Sequence, residues 1–232
     1  MKSKVIAAVT NLVICAVIVV TALVGFYGGS AAAVADADNV YYGSQSEDEV
    51  CLMFNVYQNT GCVRDIVELL ETYEAKATFF MGGCWADDNT DCVREVYAAG
   101  HEIASHGYFH KDHSKLGYEA NLSEISTSVR LLEALCGADV RLFAPPSGAF
   151  GEYTVSACSK LGLDLVMWSK DTIDWRDSDP DVIFSRATDG LEGGDFILMH
   201  PTEGTVKALP RILGYIRNAG LTCTTVSHAL GE

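Results

Sequence analysis

The chain has 232 residues and a formal net charge of −15, with 31 acidic against 16 basic residues. That length suits one domain of ordinary size plus an extension, with enough material to bury a core without disulfide staples. A surface so acidic repels polyanions, so nucleic acid is disfavoured as a partner.

The run from Val5 to Phe26 is apolar apart from Thr10, Asn11 and Thr21. About 20 such residues cross a bilayer as a helix, so residues 5–27 are expected to form a transmembrane anchor. Lys2 and Lys4 precede the run, whereas Asp36 and Asp38 follow it. This asymmetry places residues 1–4 in the cytoplasm and the remainder outside, single-pass at the cell membrane. Alternatively, Ala35-Asp36-Ala37 offers a small-residue cleavage pattern that would release the chain near Ala37 as a secreted protein. Residues 28–48 are small, polar and acidic and read as a linker, which leaves 49–232 as the domain.

Within the domain, short apolar runs alternate with amphipathic ones. Strands are predicted at Val50–Val56, Ala77–Met81, Glu102–Ser105, Arg141–Ala144, Asp164–Ser169, Phe196–His200 and Leu221–Val226. Helices are predicted at Val63–Tyr73, Cys92–Ala99, Leu122–Cys136, Glu152–Leu161, Pro180–Leu191 and Thr205–Ala219, several stopped by glycine. Strand–helix alternation of this kind indicates a parallel α/β architecture with barrel-like closure, whose functional residues sit where strands end. Cys15 lies in the apolar run; of the other seven cysteines, Cys84 and Cys92 flank a short polar loop, Trp85–Asp91, and could form a local disulfide in an oxidising compartment. Buried free thiols, with at most a bridge or two, are the plainer expectation.

The unusual polar residues fall at the strand ends. Asn55 ends the first strand. His106-Gly-Tyr-Phe-His110 follows the third and sets two imidazoles four apart, which on a helical turn share one face and suit a divalent metal. Pro145-Pro146-Ser147 follows the fourth strand as a rigid groove wall or a plain turn. Asp171-Thr-Ile-Asp174-Trp175 brings two carboxylates and an indole to another mouth, where a carboxylate could orient His200 or cap the next helix, although Asp177 and Asp179 are better placed to cap. His200 ends an apolar strand before Pro201 and could serve as an acid toward a leaving amine, or be a core-edge histidine bonded to backbone.

Lys76-Ala-Thr-Phe-Phe80, Gly100-His-Glu-Ile-Ala-Ser-His-Gly-Tyr-Phe-His110, Asp171-Thr-Ile-Asp-Trp175 and Leu198-Met-His200 stand in the order of the blocks of the polysaccharide deacetylase family (NodB homology, carbohydrate esterase family 4), which Val50–Leu230 resembles. The resemblance implies a distorted (β/α) barrel and a divalent metal, most commonly zinc, that polarises an acetamide carbonyl so that an N-acetyl sugar of peptidoglycan or a chitin-like polymer loses acetate. By carry-over, His106 and His110 are metal ligands, His200 the general acid and Asp174 its partner or that of a groove residue. Pro145, Pro146, Ser147, Asp171 and Trp175 line the glycan groove.

The departures bear on the chemistry. Where the family has Thr-Phe-Asp-Asp, this chain reads Met53-Phe54-Asn55-Val56, losing both the proton-accepting carboxylate and a metal-ligating one. Where the family has Arg-Pro-Pro-Tyr-Gly, it reads Ala144-Pro-Pro-Ser-Gly148. Three outcomes follow: a substitute carboxylate such as Asp112 or Asp171 enters the site, hydrolysis proceeds slowly without one, or the domain binds cell-wall glycan or serves in envelope assembly without turnover.

Overall fold

The computed structural model describes residues 40–231; the expected cytoplasmic end 1–4, anchor 5–27 and most of the 28–48 linker lie outside the described residues. Among the described residues no helix is long and apolar enough to cross a membrane.

The strands are β1 (Val40–Tyr41), β2 (Glu49–Val56), β3 (Thr78–Met81), β4 (Glu102–Ser105), β5 (Leu142–Phe143), β6 (Asp164–Val166), β7 (Lys170–Asp171), β8 (Phe196–Met199) and β9 (Thr222–Thr224). The helices are α1 (Thr60–Thr72), α2 (Gly83–Asp88), α3 (Thr90–Ala98), α4 (Tyr118–Cys136), α5 (Glu152–Leu161), α6 (Pro180–Thr188), α7 (Glu203–Asn218) and α8 (Val226–Leu230). They build one curled sheet in the order β1-β6-β5-β4-β3-β2-β8-β7, with β9 beside the start of β2, and every ladder is parallel.

Strand β2 shows why the sheet forms where it does. Its alternate residues Leu52, Phe54 and Val56 enter a large core with Val63, Ile66 and Leu70 of α1 and Leu209 and Ile212 of α7. Cys51 and Met53 face the other way, into a smaller inner core with Phe80, Ala104, Leu142, Val166 and Phe196. A strand covered on both faces reads as an unbroken apolar run, as parallel strands do. Each fully buried Leu or Phe contributes about 1.5–3 kcal/mol. The inner stripe continues into Asn55, the first polar side chain at that end of the strand.

Three expectations are corrected. The latter part of the expected linker belongs to the domain: β1 pairs with β6, Met167 donates to the Tyr41 carbonyl, Gly43 bridges Asp195, and Ser44 donates to the Gly194 carbonyl. A Cβ on Gly193 would lie 2.2 Å from the Glu47 carbonyl oxygen, so this approach of backbone to backbone requires glycine. The single strand expected at Asp164–Ser169 breaks after Val166; its first part pairs with β5, and the chain pairs again through β7 with β8. The stretch Trp85–Asp91 is helical in α2 and at the start of α3, with Trp85 buried, because that indole outweighs the polar composition around it. The plainer expectation for the cysteines holds: all seven described cysteines are free, and Cys92 is buried in the α3 core face rather than bonded to Cys84.

Candidate active site

The strand ends open onto a cavity of ≈ 460 Å³. Of the residues singled out from sequence, Asn55, His106, His110, Ser147, Asp171, Trp175 and His200 line it. Asp174 is buried directly behind His200. Pro145 and Pro146 are buried and do not line it; only Ser147 of that turn reaches the cavity.

His106 follows β4 and continues its ladder by donating its backbone N–H to the Met81 carbonyl. Its Nδ1 lies 2.8 Å from the Ala144 carbonyl oxygen, so Nδ1 carries the hydrogen and Nε2 keeps its lone pair. Burial, then the charge of His110, pushes its pKa down to about 3, so the ring is neutral. Histidines that bind metals characteristically donate their other nitrogen to such a carbonyl.

His110 meets His106 with ring centroids 5.1 Å apart. The pair is not on a helical turn, as the spacing suggested. Gly107 (φ 73°) and His110 itself (φ 54°) are left-handed, and the segment folds back as a tight loop. Loss of solvent in the cavity wall lowers the pKa of His110 as well. The Tyr57 ring packs against it at 4.9 Å.

His200 lies beyond the end of β8. Its Nδ1 donates to Asp174 Oδ1 at 2.7 Å, its backbone N–H donates to Asp174 Oδ2 at 2.7 Å, and Thr205 Oγ1 donates to the same oxygen at 2.5 Å. The buried carboxylate is therefore satisfied at both oxygens, and Nε2 is the ring nitrogen left for the cavity. Asp174 orients the histidine rather than capping a helix, and Asp179 caps α6.

The substitutes for the missing carboxylates do not gather. Asp112 pairs with Lys115 at 2.7 Å outside the cavity. Asp171 lines the cavity, but its Oδ1 accepts from the Ile173 N–H at 2.8 Å. Asn55 is buried with its Oδ1 unpartnered, and Val56 is fully buried in the outer core. Among the described residues no three His, Cys, Asp or Glu side chains are grouped to hold a metal. The donor set thus offers a divalent ion two neutral imidazoles, one short of the three protein ligands of a catalytic zinc site. It fits such an ion, weakly.

Sequence reasoning missed Tyr57, Trp168 and Gln58 in the cavity wall and Thr205 behind Asp174. Tyr57 was within reach, since it stands two residues past Asn55 at the mouth, just beyond the end of β2. Thr205 carries no such signal, because its contact depends on how α7 packs.

Parallel strands curled around a mouth that holds a histidine pair opposite a histidine–aspartate pair define a class, and known proteins supply its name. The polysaccharide deacetylase family profile matches residues 42–166, and the chain belongs to that family. A peptidoglycan-N-acetylglucosamine deacetylase of Bacillus cereus is 30% identical over 171 residues, covering 71% of this chain and 80% of that one. The uncharacterized protein YlxY of Bacillus subtilis is 31% identical over 193 residues, and the chain spans 60% of its length. A Bacillus anthracis protein described as a CE4 family pseudoenzyme superposes with a TM-score of 0.80 at 29% identity, over 82% of this chain and 68% of that one. A mutant of that pseudoenzyme, described as having restored enzymatic activity, matches equally well in fold, at 28% identity.

Proposed function

We propose that the domain is a hydrolase that removes acetyl groups from N-acetylated glycan of the cell envelope, with turnover slowed by Asn55 and Val56. The observation that supports it most is the Asp174–His200 pair facing the same cavity as His106 and His110. When bound, a divalent ion, zinc by the family resemblance, would be held by His106 and His110 and would polarise the acetamide carbonyl. Trp175, 61% exposed at the rim, offers an indole face to a sugar ring. As the C–N bond breaks, His200 delivers a proton from Nε2 to the departing amine, while Asp174 fixes the ring and stabilises its charged form. Asn55 cannot take a proton from the attacking water, so that proton passes to solvent water instead, at a loss of about 10²–10⁴ in rate.

Acetate release from N-acetylglucosamine oligomers, measured with and without added zinc, tests the reading. Slow release that disappears in His200→Ala supports it, and no release under any metal condition rejects it. The second reading, a glycan-binding domain without turnover, is favoured by the unpartnered Asn55 Oδ1 and by Val56. It requires oligomer binding with no acetate produced. The extracytoplasmic placement through residues 5–27 suits a substrate on the envelope; the N-terminal residue of the mature protein distinguishes an anchor from release near Ala37.

A further inference from the structure

Helix α4 presents an apolar stripe to the core through Ile125 and Leu132, yet Asn121, Glu124 and Ser128 are buried on it as well. At spacings of three and four these three share a face. A buried carboxylate is expensive unless charge-assisted hydrogen bonds satisfy it, so its presence calls for a purpose.

All three reach the loop that carries the histidine pair. Ser128 Oγ is 3.0 Å from Ser105 Oγ, which in turn accepts from the Gly107 N–H at 3.2 Å. Glu124 Oε1 accepts from the Phe109 N–H, and its Oε2 lies 3.4 Å from Lys111 Nζ. Asn121 Oδ1 is 2.6 Å from His113 Nδ1, and Asn121 Nδ2 donates to the His113 and Leu116 carbonyls. Of these contacts, the two made by Glu124 fall on the residues immediately before and after His110. That histidine is left-handed, a conformation that costs a non-glycine residue about 1–3 kcal/mol and persists only when its surroundings enforce it.

We propose that the polar stripe Asn121–Glu124–Ser128 is a positioning device that holds His110 against His106, with Glu124 as its decisive member. Glu124 grips the loop on both sides of His110, through Phe109 and Lys111, rather than by bonding to either imidazole. The inference rests on the proposed role of the histidine pair, but its first readout does not.

The test uses the full chain with three substitutions. Glu124→Met keeps the volume and removes the acceptor. It should speed amide exchange at Phe109 by about 10-fold or more and lower zinc affinity by about 10–100-fold, as loss of a group that orients a metal ligand does. Glu124→Gln, which can still accept from Phe109, should restore most of both. Leu132→Ala weakens the same helix through its core and should leave zinc affinity unchanged. Unchanged exchange and affinity in Glu124→Met, or an equal loss of affinity in Leu132→Ala, overturns the proposal. Should Glu124→Met fail to fold, the half-exposed Lys111 gives a milder variant, Lys111→Ala, which must still speed exchange at Phe109 for the proposal to stand. If the wild-type chain takes up no zinc, exchange at Phe109 still decides the positioning claim, and the failure falls on the metal reading alone.

Discussion

Replacing Asp174 by Asn tests the acid end of the site with a change of one atom. In the wild type, Oδ2 accepts two donors, the His200 N–H and the Thr205 hydroxyl, while Oδ1 accepts from His200 Nδ1. An asparagine has one oxygen for these three donors. If that oxygen keeps the two fixed donors, its NH₂ faces His200 Nδ1 and can be satisfied only if the ring moves its hydrogen to Nε2. The neutral histidine then adopts the other tautomer, and its charged form loses its carboxylate. If the amide turns the other way, its NH₂ meets the His200 backbone N–H, a buried donor against a donor, which costs about 1–3 kcal/mol. The expectation is loss of about 10²–10⁴ in acetate release, the scale of a general acid or of a misassigned tautomer. The more direct assay is nitrogen NMR of the His200 ring, with Nδ1 protonated in the wild type and Nε2 in Asp174→Asn. An unchanged tautomer together with unchanged stability would refute the reasoning about this carboxylate, whatever the turnover.

Three further outcomes are expected. His106 is held neutral, with its pKa pushed down to about 3, so between that value and the ordinary value of 6.5 the unfolded chain binds a proton that the fold does not. This contribution to stability is complete above pH 6.5 and is lost as pH falls toward 3, by up to about 1.4 kcal/mol per pH unit, which denaturant titrations at pH 7.5 and 5 would detect and His106→Ala would reduce. Ile173 is β-branched yet has φ 52°, so Ile173→Gly should be more stable than Ile173→Ala by about 1 kcal/mol in thermal unfolding, the reverse of the usual order. Asn55→Asp supplies a base at the cavity and should raise acetate release by about 10²–10⁴, whereas Val56→Asp places a carboxylate in the outer core, away from the cavity, and should destabilise the fold by about 3 kcal/mol in denaturant titrations.

Most of the fold was legible because both faces of the sheet are buried, so strands such as Val50–Val56 stand out as continuous apolar runs and the glycine stops mark the helix ends. What escaped depends on long-range pairing. Nothing local in Val40-Tyr41 identifies a strand, because its partner lies at Leu165–Val166. The break after Val166 is equally silent, since it arises from a change of partner from β5 to β8. The site was readable as a set of polar residues at strand ends, and the structure gathers His106, His110 and His200 around one cavity. The manner of gathering was not readable. Left-handed turns at Gly107 and His110 replace the anticipated helical face, and the carboxylate of Glu124 that flanks them is twelve or more residues downstream of the loop it secures.

The short β1 strand has a mechanical consequence. It lies parallel to β6, and the residues just after it are pinned to the turn that leads into β8. A pull applied at residue 40 therefore acts along a hydrogen-bonded ladder in shear, where several bonds must yield together, rather than unzipping them one by one. Trimming the chain at residue 49 would remove that stave and leave the backbone edge of β6 bare, an invitation to pair with a neighbouring molecule.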